Sequence, residues 1–343
     1  MPHIRPQKLL IILALLLPVV ALFSLVSGAV NLPLASVGRG FVAWFSGDGL
    51  VTQDSIILFN IRLPRIVLAM TVGAVLASSG AVMQGLFRNP LADPSLIGVS
   101  SGASVGASLV IVAASAMLQS TTAFGLTLVA LGAFAGGFVA TILVYRLATS
   151  NMGTSVATML LAGIAISALA GAINSLLSYF ADNDMLRQIS LWQMGNLSTA
   201  NWPRVALIAL VATILAVGFP RDSRALNAML LGESEARHLG VDVQRIKTRL
   251  IVLTALGVGT SVAVAGLVAF VGLVVPHVIR LLIGPDHRWL IPGSAIAGAV
   301  LLLIADNLAR IVVSPAELPT GILTALLGAP FFVALLVQQR LRL

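Results

Sequence analysis

Few residues in this sequence are of the types that do chemistry, and their spacing does not assemble an enzyme site. The 343 residues include four histidines and no cysteine, which excludes disulfides and thiolate metal sites. HExxH does not occur, so the spacing typical of zinc peptidases is missing. His277 follows Pro276 and His287 stands beside Asp286, but both histidines are isolated from further metal ligands. We therefore expect no catalytic residue and no metal site.

The sequence also lacks an energy source of its own. No GxxxxGK[ST] motif occurs, so the chain cannot hold a nucleotide in a P-loop. Coupling to an ion gradient normally requires acids within the membrane, and Asp306 is the one acid well inside an apolar segment. Arg310 follows it by one helical turn, and an ion pair between them accounts for Asp306 without a proton relay. We therefore expect a partner subunit to supply the energy; an ion-coupled secondary transporter that works alone is the alternative.

The composition is that of a polytopic membrane protein. Hydrophobic residues make up 58% of the chain, charged residues only 9%, and the mean hydropathy is +1.04, far from the values of soluble domains. The net charge of +8 is typical of basic residues collected on the cytoplasmic side of a membrane. We therefore expect contact with the lipid bilayer and no binding of nucleic acid. The apolar run 9–26 resembles a signal peptide but is long enough to be the first span.

Apolar segments long enough to cross a membrane, or nearly so, number nine. They are Leu9–Val30, Leu63–Phe87, Ser95–Leu118, Thr122–Leu147, Thr154–Leu177, Val205–Phe219, Leu250–Val275, Gly293–Val313 and Ile322–Val337. A further apolar piece, 276–283, is too short for an ordinary span and precedes the polar turn 284–288. If it crosses as a short or broken helix buried in protein, the number of spans is ten.

The distribution of positive charge favours ten spans over nine. With ten, both termini are cytoplasmic, and fourteen of the twenty Lys and Arg residues lie inside while six lie outside. The inner set is Arg5, Lys8, Arg88, Arg146, Arg221, Arg224, Arg237, Arg245, Lys247, Arg249, Arg280, Arg288, Arg340 and Arg342. The outer set is Arg39, Arg62, Arg65, Arg187, Arg204 and Arg310. Nine spans would move Arg340 and Arg342 outside and weaken the bias.

The chain contains an internal repeat. A shift of 186 residues without gaps matches positions 67–98 at ten places. These are Ala69/Ala255, Val72/Val258, Gly73/Gly259, Ala77/Ala263, Gly80/Gly266, Val82/Val268, Pro90/Pro276, Leu96/Leu282, Ile97/Ile283 and Gly98/Gly284. With ten spans, the copies (spans 2–5 and 7–10) start five spans apart, so they have opposite orientation. Inverted repeats of this kind are a transporter architecture.

One long polar insert, residues 221–249, interrupts the apolar chain. It carries six Lys or Arg residues against four acids, so it lies in water. Ala225–Leu231 and Glu233–Leu239 each predict about two helical turns, with Gly232 and Gly240 in the positions where helices end. Two short helices joined by a bend form a compact surface for a partner. A merely solvated connector is the alternative.

Three arginines are predicted near the outer ends of spans: Arg62, Arg65 and Arg310. Arginines at such positions commonly anchor helix ends among lipid headgroups. Alternatively, they pair with carboxylates of an external partner, because charges at the rim of an interface steer docking and fix its register.

Several motifs together identify a family. Their order in the sequence spans about residues 55–335. They are RLPR (62–65), SGAVMQ (79–84) leading into NPLADP (89–94), GVSSGA (98–103), LGE (231–233) through Ala236 to LG (239–240), FVGLVVPH (270–277), DHR (286–288), and AELPTG (316–321) leading into LGAP (327–330). In these motifs the chain resembles the FecCD family, the permease subunits of type II ABC importers for iron siderophores, haem and cobalamin.

The resemblance implies a fold and an assembly. The chain would be a single permease domain, 1–343, all-α with ten helices, in the bacterial inner membrane. Two copies would form a homodimer with the transport pathway along its two-fold axis. Two ATP-binding subunits, which hold the ATP and Mg, would dock inside and a periplasmic binding protein outside, so this chain would carry no cofactor. The expected cargo is an iron chelate, haem or siderophore; cobalamin is the alternative.

The resemblance also implies roles for individual residues. It places the ATPase-coupling helices within the insert, at Leu231, Gly232, Glu233, Ala236, Leu239 and Gly240. It places Arg62 and Arg310 opposite acidic residues on the two lobes of the binding protein. Asn89 and Leu91, after the second span, would form part of a cytoplasmic gate. At Thr154 and Ser155 the sequence departs from the family's hydroxyl pattern, which leaves a second gate there open to doubt.

Overall fold

The chain is almost entirely helical in a computed structural model, which describes residues 4–28, 32–46, 52–113, 122–150 and 153–340. The helices are α1 (Pro6–Val26), α2 (Leu34–Ser46), α3 (Gln53–Ile56), α4 (Leu63–Leu86), α5 (Val99–Ala113), α6 (Thr122–Ala148), α7 (Val156–Phe180), α8 (Asn183–Gln193), α9 (Trp202–Arg221), α10 (Ser223–Met229), α11 (Glu233–His238), α12 (Val243–Ala265), α13 (Val271–Ile283), α14 (His287–Ile311) and α15 (Thr320–Arg340). A π-helical segment (Ile57–Arg62) joins α3 to α4, and a 3-10 turn (Pro94–Ile97) precedes α5. Strands β1 (Thr149–Ser150) and β2 (Gly153–Thr154) form a small antiparallel hairpin.

Seven helical stretches of the described chain are long and apolar enough to cross a membrane. They are Pro6–Val26, Gln53–Leu86, Thr127–Ala148, Val156–Phe180, Trp202–Arg221, Val243–Ala265 and His287–Ile311. Three shorter apolar helices accompany them: Val99–Ala113, Val271–Ile283 and Thr320–Ala334. The all-α polytopic fold is therefore confirmed. These seven long and three shorter apolar helices equal in number the ten predicted spans. That each of them crosses the membrane stays a prediction.

Side chains at the helix starts fix where several of these helices begin. Asp242 accepts a hydrogen bond from the Arg245 N–H at the start of α12, and Asn201 does the same for Arg204 at the start of α9. Such caps satisfy N–H groups that have no partner within the helix. They matter most here because the capped ends join long apolar helices to short polar connections.

The long helices begin and end at two opposite ends of the molecule. The Ile4 N–H donates to the Leu282 carbonyl at 2.9 Å, so α1 starts where α13 ends, beside the insert. Thr320, at the start of α15, donates to Asp306 near the end of α14, and α15 runs from there toward the insert. We call these two ends the insert end and the opposite end. α1 thus starts at the insert end and α15 runs toward it, while the cytoplasmic location of both termini stays a prediction.

α4 lies at the centre of the molecule and packs against α14 through glycines. A Cβ built on Gly73 would lie 2.2 Å from the carbonyl oxygen of Gly298, and one built on Gly298 would lie 2.3 Å from that of Gly73. Gly80 meets the carbonyl of Gly272 on α13 in the same way, at 1.8 Å. Small residues let membrane helices approach this closely. No larger side chain fits at these crossings unless the backbones separate.

The inverted repeat is visible in the structure, with a local difference. α4 runs from the opposite end to the insert end, and α12 runs the other way, so the matched copies have the predicted opposite orientation. At the matched pair Gly80/Gly266, however, α4 continues, whereas α12 ends because Gly266 adopts φ +71°. The predicted span Leu250–Val275 is therefore wrong. Residues 266–270 are not helical, and α13 begins at Val271 with Pro276 inside it.

Short amphipathic helices at the opposite end were not predicted. α2 packs on the segment before α4 through a Trp44–Phe59 stack with ring centroids 4.7 Å apart, and Trp202 donates its indole N–H to the Phe59 carbonyl. α8 begins at an Asp182 cap. These helices escape a search for long apolar runs because each has one polar face, and only the packing beneath them identifies the other face as buried.

Candidate functional site

The polar insert folds into the two short helices that its glycines predicted. α10 ends at Met229 and α11 covers Glu233–His238. Gly232 between them has φ +131° and Gly240 after them has φ +83°, values that favour glycine because a side chain is strained there. The predicted start of the second helix coincides with that of α11, and the other three predicted boundaries differ from the observed ones by one or two residues.

The residues predicted to couple to an ATPase divide into an outward set and an inward set. Leu231 is 69% exposed and Leu239 is 65% exposed, and Gly240 beside it is also exposed. Ala236 is fully buried and Gly232 is buried. Two large apolar side chains thus project from a polar surface at either end of α11. Such projections are typical of residues that enter a partner's pocket.

Glu233 points inward instead of toward a partner. Its carboxylate lies 2.5 Å from the Lys247 ammonium and 3.7 Å from the exposed Arg237 guanidinium. Lys247, on α12, is only 3% exposed and also donates to the Thr154 carbonyl at 2.9 Å. A buried lysine is rare unless it is paired, and here both of its described contacts reach other elements. α11 is therefore fastened to α12 by a buried ion pair.

Asn227 fastens α10 to the turn before α14. Its side-chain carbonyl accepts from the His287 N–H at 2.9 Å, and its amide donates to Asp286 at 2.6 Å. Burial by itself raises the pKa of Asp286, but hydrogen bonds from the Arg288 N–H and the Asn227 amide outweigh it and lower the pKa below its usual value. Asp286 is thus a stable anion that holds the insert against the second repeat.

The predicted gate residues lie next to the insert. Arg88 of their loop adopts φ +50°, and its guanidinium would be 3.9 Å from a Cβ built on Gly232. Asn89 accepts from the Leu91 N–H at 2.9 Å and so forms a tight turn. The structure therefore brings Asn89 and Leu91 to the insert end. Their role as a gate stays a prediction.

Thr154 and Ser155 serve local structure at the same end. Gln244 of α12 accepts from the Thr154 N–H at 3.0 Å and donates to the Thr154 hydroxyl at 2.7 Å. Ser155 caps α7 by accepting from the Thr158 N–H. Sequence reasoning missed that Gln244, Lys247 and the hairpin form one polar cluster. Helical spacing places Gln244 and Lys247 on the same face of α12, but it gives no indication of the hairpin opposite.

A buried ionic cluster occupies the opposite end. Asp306 is fully buried, pairs with Arg310 on its own helix at 3.3 Å, and so confirms the predicted intrahelical pair. Its closer partner, however, is Arg65 of α4, at 2.9 Å, and Arg65 also pairs with Glu317 at 2.7 Å. The cluster joins α4, α14 and the start of α15. The Arg65 pairing was not predicted, because the two residues are 241 positions apart in sequence.

Arg62 and Arg310 lie inside the chain and not at an exposed rim. They are 5% and 4% exposed. Arg62 donates to the Leu25 and Val26 carbonyls at the end of α1, and Arg310 donates to Ser24 there. Carbonyls at a helix C-terminus lack partners within the helix and attract cations, which explains why both arginines turn inward. Both arginines are thus buried within the chain; their docking role stays a prediction.

No group of three or more His, Cys, Asp or Glu residues that could hold a metal ion occurs within the described residues.

A family model described as the FecCD transport family matches residues 15–338.

This chain belongs to the FecCD transport family.

Two permease proteins and a solved structure resemble the chain along nearly its whole length. The hemin transport system permease protein HmuU of Yersinia pestis is 44% identical over 340 residues, which cover 98% of both chains. The cobalamin import system permease protein BtuC of Halobacterium salinarum is 43% identical over 317 residues, which cover 92% of this chain and 82% of that one. A structure described as an inward-facing conformation of a metal-chelate type ABC transporter is 34% identical. It has a TM-score of 0.83 and covers 97% of this chain and 99% of its own.

Proposed function

We propose that this FecCD protein is the permease subunit of an ATP-driven importer that moves an iron chelate, haem or siderophore, from the periplasm to the cytoplasm. The observation that carries the proposal is the 44% identity to a hemin permease across 98% of both chains. Import of cobalamin is the alternative, because a cobalamin permease is nearly as similar, with 43% identity. Both cargoes are large, so the pathway must be wide.

The same proposal assigns the partners and the orientation. The chain forms a homodimer in the bacterial inner membrane, with both termini and the insert in the cytoplasm. Two ATP-binding subunits, which hold ATP and Mg, dock there, and a periplasmic binding protein docks at the opposite end. The orientation is supported by the concentration of Lys and Arg residues at the insert end. Hydrolysis of ATP belongs to the partner subunit.

The residues of the insert suit a mechanical role. Leu231 and Leu239 project toward the ATP-binding subunit, while Glu233 and Ala236 hold α11 against the membrane helices. When the two ATP-binding subunits close, the insert moves with them. The glycine-packed helices, α4 and α14 among them, resist bending, so they switch between inward and outward openings as rigid bodies. The loop with Asn89 and Leu91, which lies beside Gly232, then opens or closes the cytoplasmic exit.

Reconstituted uptake tests the proposed function. The chain is purified with its ATP-binding and binding-protein partners and placed in liposomes, and uptake of haem, a ferric siderophore and cobalamin is compared. We expect uptake that requires ATP hydrolysis and favours an iron chelate. Uptake driven by a proton gradient without ATP would instead support an ion-coupled transporter, and a preference for cobalamin would support the alternative cargo.

A double substitution tests the outward leucines. Leu231→Ser with Leu239→Ser removes two apolar anchors of the proposed interface, and exposed anchors of this kind often carry about 2 kcal/mol or more each. We expect capture of the ATP-binding subunit by the detergent-solubilised permease to weaken by at least about tenfold. Arg245→Ser, at another exposed position of the insert, is the control. Unchanged capture by the leucine variant would show that the partner docks elsewhere.

The two buried arginines allow a separate test of docking at the opposite end. Arg62→Gln and Arg310→Gln remove positive charge and keep hydrogen-bond donors. If these charges steer the binding protein, its affinity falls most at low ionic strength, where screening is weakest. Affinity is measured across a salt series, together with the thermal stability of each variant. A loss of stability without a loss of affinity would leave the arginines with a structural role only.

A further inference from the structure

Lys247 is the side chain that links α11 of the insert to the hairpin. Its ammonium lies between the Glu233 carboxylate of α11, at 2.5 Å, and the Thr154 carbonyl of β2, at 2.9 Å. In the described part of the chain, no other side chain bonds to both α11 and the hairpin. The Lys247 side chain is 3% exposed and that of Glu233 is 28% exposed, so it is the ammonium that is shielded from water, where an unmet charge is costly.

The hairpin is held by α12 and leads directly into α7. Thr154 makes two further hydrogen bonds with Gln244, one donated by its N–H and one accepted by its hydroxyl, and Tyr145 of α6 bonds to Thr248 at 2.8 Å. The end of α6, the hairpin and the start of α7 therefore follow the same face of α12. Movement of α11 relative to this face must therefore strain or break the Glu233–Lys247 pair.

We propose that Lys247 is a positioning residue that transmits displacement of α11 to the hairpin strands β1 and β2 and to the start of α7. The proposal rests on the proposed function, in which an ATP-binding subunit moves the insert. The ammonium suits this role because it is compact and has three donors, so it can hold a carboxylate and a carbonyl at the same time.

A matched pair of variants tests the coupling. Lys247→Met keeps the apolar stem and removes the ammonium. Arg245→Met removes a charge two residues earlier, from an exposed side chain. In the reconstituted transporter we expect Lys247→Met to lower the cargo moved per ATP hydrolysed on the order of tenfold, and Arg245→Met to leave it near the wild-type ratio. A merely structural lysine would reduce the amount of folded protein and leave the ratio unchanged, which would overturn the proposal.

Exchange of the two charges separates the ion pair from the bond to the hairpin. In the double variant Glu233→Lys/Lys247→Glu the pair can form again, but a carboxylate at position 247 has no proton to donate to the Thr154 carbonyl. We expect the ratio of transport to hydrolysis to remain low in this variant. Recovery of the wild-type ratio would show that the ion pair suffices and that the hairpin bond transmits nothing.

A distance measurement follows the same link without transport. Because the chain contains no cysteine, Ser234→Cys on α11 and Ala157→Cys on α7, both exposed, accept spin labels selectively. We expect one narrow distance distribution in the otherwise unchanged chain and a broad one after Lys247→Met, already without partner subunits. A narrow distance distribution both in the otherwise unchanged chain and in the Lys247→Met variant would overturn the proposal that Lys247 links α11 to the start of α7.

The two kinds of failure are distinguishable. If the unsubstituted chain transports without ATP, the proposed function fails, whereas the label distances still decide whether Lys247 joins α11 to the start of α7. If transport requires ATP but the Lys247→Met ratio is normal, only the proposal about Lys247 fails.

Discussion

Gly73→Val is expected to prevent stable folding of the permease. The new Cβ would lie 2.2 Å from the Gly298 carbonyl oxygen and 2.8 Å from its carbon, and a backbone cannot move aside as a flexible side chain can. Overpacking a core typically costs about 1–3 kcal/mol. Here the two branched methyl groups must also separate α4 from α14, so we expect a loss at or above the upper end of that range. The yield of folded protein and its thermal unfolding in detergent measure this loss of stability.

The matched control is Gly171→Val on α7. Gly171 also lies inside a long apolar helix, but a Cβ there meets no atom within 4 Å. The two variants carry the same change in composition and helix propensity, so their difference reports the α4–α14 contact. We expect Gly171→Val to unfold within a few degrees of the unsubstituted chain. Equal melting temperatures for the two variants would mean that the helix crossing tolerates expansion.

Asp306→Asn is expected to have the second-largest effect, on the stability of the opposite end. The carboxylate is fully buried between Arg65 and Arg310, and the amide removes the negative charge while keeping the shape. Breaking a buried ion pair by removing one partner typically costs about 3–5 kcal/mol, because the other charge stays buried and unmet. The free energy of unfolding in detergent, from denaturant titration, is the measurement.

Glu317→Gln is the control for Asp306→Asn because Glu317 pairs with the same arginine. Its side chain is 35% exposed, so water screens the interaction, and pairs near the surface contribute about 0–1 kcal/mol. We expect Glu317→Gln to lower the free energy of unfolding by only a fraction of the loss caused by Asp306→Asn. Equal losses would indicate that the Arg65 charge, once released from either acid, reaches water.

The sequence predicted the fold class because long apolar segments leave few alternatives. Such segments bury their backbone polar groups as helices, and the polar insert with Gly232 and Gly240 predicted two short helices that the structure contains. The same reasoning failed at Gly266. One unbroken apolar run gave no sign that α12 ends there, because a glycine inside a helix and a glycine that ends one look alike in sequence.

What the sequence by itself determined about this protein is local or cumulative: most of its long apolar helices, the opposite orientation of the two repeats, the solvated insert and the family. What only the tertiary structure decided is which charges meet. Arg65 lies 241 positions from Asp306 and Lys247 lies 93 positions from Thr154, and the spacing in sequence predicts neither contact. The physical reason is that an ionic bond in a dry interior depends on distance in space, whereas periodicity reports only which face of a helix is apolar.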